Sequence, residues 1–154
     1  MKDKKEMIWG NYTWLLFHTI AEKIKNEYFQ EEKENLIKYI KKLCSVLPCP
    51  DCSNHATYLL NHYDYKCIKN KDDFKRFIFD FHNIVNSRKN YQLEDMPILE
   101  KYESAILYKI IYIWNLHFTT TGVNTRLLTD TMRRNSIKKQ FLNYMNTNKF
   151  KFDD

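Results

Sequence analysis

An all-α domain is what this sequence predicts, and three features carry the expectation. Its 154 residues include only two glycines and three prolines, too few breakers for a sheet built on many tight turns. Apolar residues recur at three- and four-residue spacing through most of the chain, the period of a helix that buries one face. The length suits one domain with a real core and is short for two.

The elements follow in order. From Gly10 to about Ile24, Trp14, Phe17, His18, Ala21 and Ile24 share a helical face, with Asn11 or Thr13 able to cap the start. After the charged stretch 26–34, Leu36, Ile40, Leu43, Cys44 and Leu47 mark a second helix, ended by Pro48. Pro50 suits the first turn of a third, where its missing N–H would be unpaired anyway, and Ala56, Leu59, Leu60 and Tyr63 continue the pattern. Asp72 or Asp73 can cap a fourth helix that runs to about Arg88 with Phe74, Phe77, Ile78, Phe81 and Val85 inward. His82 and Asn86 lie one turn apart on it.

A polar loop at 89–96 precedes Pro97, which opens a fifth helical pattern through Leu99, Tyr102, Ile106, Ile110, Ile113 and Trp114. The break at 119–125 contains Gly122. Beyond it Leu127, Leu128, Met132, Ile137, Phe141 and Tyr144 predict a further helix, with a charged tail that frays. No cysteine lies after residue 105, and the apolar positions there are expected to pack on the core or on a second subunit.

Net charge is +6 and the pI about 9.0, but lysines and glutamates interleave between 27 and 42, which describes solvated helix faces rather than a nucleic-acid patch. No nucleic-acid partner is expected. No run of about 18 apolar residues could span a membrane, and the first six residues lead into a mixed aromatic and polar segment instead of an apolar signal core. The expectation is a cytoplasmic protein, or one reaching another compartment by a route the sequence does not show.

Cytosolic cysteines are more often catalytic, metal-bound or inert than structural. Cys49-Pro50-Asp51-Cys52 places a Cys-x-x-Cys pair at a helix start, where unpaired N–H groups and the helix dipole favour a thiolate suited to disulfide exchange. Cys44, Cys49, Cys52 and His55 could instead bind structural zinc in a non-catalytic helical adaptor. Cys44 also reads as a core residue and His55 as a surface or packing histidine. Cys67 is free, or bridges to Cys44 or to a second subunit. A thioredoxin-like reductase is disfavoured because no βαβ pattern surrounds the pair.

Three segments, in this order, resemble the Erv/ALR sulfhydryl oxidases, closest in style to the short viral members of pox and African swine fever virus type. They are Trp9-Gly10-Asn11-Tyr12-Thr13-Trp14-Leu15-Leu16-Phe17-His18, Leu47-Pro48-Cys49-Pro50-Asp51-Cys52-Ser53-Asn54-His55-Ala56, and Phe81-His82-Asn83-Ile84-Val85-Asn86-Ser87-Arg88. The resemblance spans about residues 7–105. It implies a four-helix bundle with a short fifth helix, here in residues 1–105, followed by a helical C-terminal extension in 106–154.

It also implies non-covalent FAD, no resident metal, and commonly a homodimer. Gly10, Trp14 and His18 would lie near the flavin nucleotide and His82, Asn83 and Asn86 on its far side, with Arg88 closing the matched helix as a further cofactor-binding residue. Catalysis would fall to Cys49, attacked by thiols of client proteins or of a thioredoxin-like carrier, and to Cys52 beside the flavin, with O2 taking the electrons as hydrogen peroxide. Viral relatives suggest a viral factory or virion as the site of action. After Arg88 the family usually has Leu, a variable residue and Lys, where this chain has Lys89, Asn90 and Tyr91; Lys89 is the residue that could reach the flavin phosphate instead. No second cysteine pair is present to act as an internal shuttle.

Overall fold

In the computed structural model, residues 4–119 and 125–154 are described, with side chains from 8–119 and 128–154. The described residues form six helices: α1 (Lys4–Lys23), α2 (Asn26–Cys44), α3 (Pro50–Asn61), α4 (Lys71–Arg88), α5 (Leu107–His117) and α6 (Thr125–Thr147). The fold is all-α. Helices α1 to α4 enclose one apolar core containing Leu16, Phe17, Phe29, Leu36, Leu60, Phe74 and Phe77. Helix α1 is central, packing on α4 and α5, while α2 packs on α3 and α6.

The helix starts show how the local chemistry works. Cys49 is the N-cap of α3, its sulfur accepting the Cys52 N–H at 3.2 Å, and Pro50 opens the first turn. Helix α4 is capped by Asn70 instead of Asp72 or Asp73: Asn70 Oδ1 accepts the Asp73 N–H at 2.8 Å, and the Asp73 carboxylate accepts the Lys69 N–H at 2.9 Å. The reciprocal pairing satisfies two backbone donors that the helix end would otherwise leave open.

Further expectations change. Helix α1 begins at Lys4, so Asn11 and Thr13 are interior residues and not caps; the Thr13 hydroxyl donates to Trp9 O within the helix. The charged stretch 26–34 is the first half of α2, with Phe29 buried and Glu32 also turned inward, where Lys151 and Tyr144 bond its carboxylate. A glutamate at a core-facing position hid the helical period. The pattern from Pro97 to Trp114 is two elements: a 3-10 segment Met96–Ser104, then extended Ala105 and Ile106, then α5.

The charged tail does not fray. Phe152 is buried and forms an isolated antiparallel bridge with Ile24, the Lys25 N–H donates to Lys151 O at 2.9 Å, and the Asp153 N–H donates to Lys23 O at 2.7 Å. Ordered backbone partners at the end of α1 hold it, and propensity alone could not supply them. Of the apolar positions after 105, Ile110, Trp114 and Phe141 are buried, whereas Leu128 and Met132 are 60% and 66% exposed. Gly122 and the side chain of Leu127 lie outside the described residues. Among the described residues no helix is long and apolar enough to cross a membrane.

Candidate active site around the Cys49–Cys52 disulfide

Helix α2 ends at Cys44, and the next residues carry the chain to the start of α3, where Cys49 and Cys52 form a disulfide with Cα atoms 5.2 Å apart. Cys49 is half-buried and Cys52 is 8% exposed. The approach segment is held from outside: Arg134 of α6 donates from Nε to Val46 O at 2.6 Å and from Nη2 to Leu47 O at 3.3 Å, and the Leu47 N–H donates to Ser53 Oγ at 2.8 Å.

Cys52 opens onto a cleft of about 270 Å³ between α1, α3 and the end of α4. Trp9, Gly10, Asn11, Thr13, Trp14 and Phe17 line it from α1; Leu47, Cys44, His55 and Ala56 from the middle of the fold; Phe81, His82, Val85, Asn86, Lys89 and Tyr91 from α4 and beyond. An apolar cleft with a few placed polar groups is the usual form of a cofactor site.

The aromatic groups are mutually fixed. Trp14 and His82 stack with centroids 4.2 Å apart and an 11° interplanar angle, so a ligand ring can meet only their outer faces. His82 Nδ1 and His18 Nε2 share a hydrogen bond of 3.0 Å, and His18 stacks on buried Tyr102 at 4.7 Å. Burial pushes the His18 pKa down to about 3, with His82 and Lys101 adding to the effect. Burial likewise lowers His82 to about 4, Lys101 contributing again. Both rings are therefore neutral at pH 7 and share one proton across the bond.

The structure thus brings Gly10, Trp14, His82, Asn86 and Cys52 to one cleft, with His18 one hydrogen bond behind. Asn83 is not in the lining: its amide exchanges bonds with the Glu94 backbone, at 2.9 Å to the carbonyl and 2.8 Å from the N–H. It anchors the loop after α4. Arg88 also stands off the cleft, exposed and paired with Asp51 at 3.4 Å. Asn86 Nδ2 donates to Gln92 O at 3.3 Å, and the Asn86 backbone carbonyl accepts the Tyr91 N–H at 2.8 Å.

Lys89 Nζ lies 3.0 Å from Cys52 Sγ. Sequence reasoning singled out Lys89 for a phosphate and had no signal for this contact, since it depends on the close approach of α4's C-terminus to α3's N-terminus. Tyr102, Arg134 and the bond from Trp114 Nε1–H to Thr13 Oγ1, 3.2 Å long, were equally invisible as supports of the site.

The geometry does not gather the four zinc candidates into one site. Among the described residues no three His, Cys, Asp or Glu side chains gather to hold an ion, two of the four candidates are joined in the disulfide, and burial raises the Cys44 thiol far above its ordinary pKa. Cys67 is exposed and free, its thiol 2.9 Å from Asp64 O and 3.3 Å from Tyr63 Oη.

The model of the Erv1 / Alr family matches residues 11–105. A putative FAD-linked sulfhydryl oxidase of Invertebrate iridescent virus 3 is 27% identical over 97 residues, covering 62% of this chain and 66% of the relative. An FAD-linked sulfhydryl oxidase of African swine fever virus is 31% identical over 105 residues, covering 68% of this chain and 87% of the relative. One from Saccharomyces cerevisiae is 30% identical over 103 residues, covering 66% of this chain and 51% of the relative. No solved structure matches. The chain belongs to the Erv1/Alr family.

Proposed function

We propose that this chain is an FAD-linked thiol oxidase that forms disulfides in client proteins through Cys49 and Cys52. One observation carries the reading: in a member of this family, the inner sulfur of a helix-start disulfide opens onto a cleft walled by Trp14, His82 and Asn86.

The residues present fit the flavin. Gly10 lies within α1 at a conformational cost of roughly 0.5–1 kcal/mol, and a Cβ there would meet no atom within 4 Å. Nothing in the protein itself needs the missing side chain, whereas a flat ligand approaching the backbone would. Gly10 and the outer faces of Trp14 and His82 would border the ring systems, and buried Asn86 would supply hydrogen bonds to polar atoms that are costly to strand. Tyr91 borders the same space. His18 would hold His82 in one tautomer, while Asn83 would fix the 91–95 loop and Arg88 the Asp51 side of α3. Bound there, the flavin supplies two-electron redox chemistry between the cysteine pair and O2, with hydrogen peroxide as the product.

The chain's own part is thiol exchange. A client thiolate attacks Cys49, the more exposed sulfur, forming a mixed disulfide as Cys52 leaves. A second client thiol resolves it, so the client is oxidised by two electrons and the pair is reduced. Cys52 is then left facing the cleft. A homodimer fits the exposed apolar side chains Tyr112, Ile113 and Leu116 on α5 and Leu128 and Met132 on α6. Viral relatives favour a role in a viral factory or virion, and a thioredoxin-like carrier could stand between this chain and its final clients.

The test is a visible spectrum of the purified protein, followed by two variants. A yellow protein with about one flavin per chain is expected; a folded, colourless protein that cannot be reconstituted with FAD refutes the reading. Both Cys49→Ser and Cys52→Ser should lose turnover. Only Cys49→Ser should keep a long-wavelength thiolate-to-flavin band, and the opposite pattern would reverse the roles of the two sulfurs.

A further inference from the structure

Two influences act in opposition on the Cys49–Cys52 pair. Cys49 is the N-cap of α3 and its sulfur accepts the Cys52 N–H at 3.2 Å, so the helix end favours negative charge on Cys49. Acting alone, it would leave Cys49 as the persistent thiolate after reduction and make Cys52 the sulfur better attacked. From the end of α4, however, the ammonium of Lys89 lies 3.0 Å from Cys52 Sγ. Cys52 is buried, so this charge acts at shorter range and with less solvent screening than the partial charge of a helix end.

The surroundings do not cancel it. Arg88 is paired with Asp51 on the exposed side. His55, on α3, has its pKa lowered by burial, with Arg88 and Lys89 adding to that and Asp51 opposing, so it is neutral at pH 7. Cys44, entering from α2, is a buried thiol held protonated. Lys89 is thus the cation in direct contact with the inner sulfur.

We propose that Lys89 is a catalytic residue that selects which sulfur leaves: its ammonium stabilises the electron pair arriving on Cys52 Sγ, directing client thiols to Cys49. The proposal rests on the thiol oxidase reading. In the step, the client S–Cys49 bond forms, the Cys49–Cys52 bond breaks, and its electron pair goes to Cys52 Sγ. A second client thiolate attacks the client sulfur and expels Cys49, which takes a proton. Two client thiols become one disulfide, one proton goes to Cys49 and one to solvent, and Cys52 remains a thiolate beside Lys89. The lower the pKa of the leaving thiol, the faster it departs. This assignment competes with the sequence-based one, in which Lys89 serves a flavin phosphate.

The experiment equilibrates the purified protein anaerobically in glutathione buffers and reads the reduced fraction of the Cys49–Cys52 peptide by alkylation and mass. Removing a cation that stabilises the reduced form makes the disulfide harder to reduce. Lys89→Met should shift the equilibrium about tenfold toward the disulfide, which is about 30 mV for two electrons, and Lys89→Arg should stay within about threefold of the wild type. A shift under about twofold in Lys89→Met overturns the proposal, as does loss of flavin from Lys89→Met with the equilibrium unchanged, which gives Lys89 to the phosphate. Should Lys89→Met fail to fold by circular dichroism, the pH profile of Cys52 alkylation in Cys49→Ser decides. Half-maximal reactivity well below the ordinary thiol pKa of about 8.5 supports the contact, and a value at or above it overturns the proposal. Neither measurement needs flavin: a colourless protein with the shift intact would sink only the oxidase reading, and a yellow one without it only this proposal.

Discussion

Replacing Trp114 by alanine is expected to destabilise the fold by about 4–6 kcal/mol. The indole is 0% exposed, packs on Phe118 and Phe141, and its Nε1–H donates to Thr13 Oγ1 at 3.2 Å. Trp→Ala in a core costs about 3–5 kcal/mol including the cavity, and the lost hydrogen bond adds about 1 kcal/mol. Against a usual net stability of about 5–15 kcal/mol, that is a large fraction. For a chain of this size it lowers the melting temperature by roughly 8–24 °C. Urea denaturation followed by far-UV circular dichroism measures it, with an unchanged slope showing that the unfolding reaction is the same. The bond is tested separately by Thr13→Val, which strands a buried indole N–H at about 1–3 kcal/mol, and by a double-mutant cycle with Trp114→Phe. A loss below about 1 kcal/mol for Trp114→Ala would refute the claim that residues after 105 share the core of the first helices.

Further outcomes follow from the same structure. Truncation after Ala105 strips Leu107, Ile110, Ile111, Trp114, Phe118 and Phe141 from one core and should abolish cooperative unfolding; a well-folded 1–105 fragment would show it to be an autonomous domain. Arg134→Met should cost about 2–4 kcal/mol, since two backbone carbonyls lose a charged donor, and lower turnover with protein thiols while the flavin spectrum stays. Equal activity and stability would show that α6 does not hold the approach to Cys49. Stability should also fall on mild acidification. His18 and His82 have folded pKa values of about 3 and about 4, below the unfolded 6.5, so their contribution is complete above pH 6.5 and declines as pH falls toward those values. The slope is about 1.4 kcal/mol per pH unit for each histidine. Glu32, whose pKa is lowered from 4.5, keeps its contribution until below that value, so titration from pH 6.5 to 5 reads the histidines alone, His55 among them because burial lowers its pKa as well, and the His82→Gln comparison separates the buried pair. An unchanged slope in His82→Gln would contradict the buried neutral pair.

Local pattern alone locates most of the helices, though not all their ends, and the chemistry-bearing residues. Three-four spacing identifies α1, α3 and α4, Pro48 and Pro50 bracket Cys49, and the segments around Trp14, Cys49 and His82 carry the family. These are local features, set by period, caps and short motifs, and they survive without knowledge of distant partners. What failed was whatever depends on a partner far along the chain. Glu32 looks like a solvated residue until Lys151 arrives from 119 residues away, and the tail looks frayed until Phe152 meets Ile24. That the Asn83 amide exchanges bonds with the Glu94 backbone is equally unreadable from the local sequence. Lys89 reads as a cation for some anion, and only the approach of α4 to α3 sets it 3.0 Å from the Cys52 sulfur. Side-chain charge and hydrogen-bonding capacity are written in the residue, but what satisfies them is decided by long-range packing, because a buried polar group accepts whichever partner the tertiary fold brings within about 3 Å.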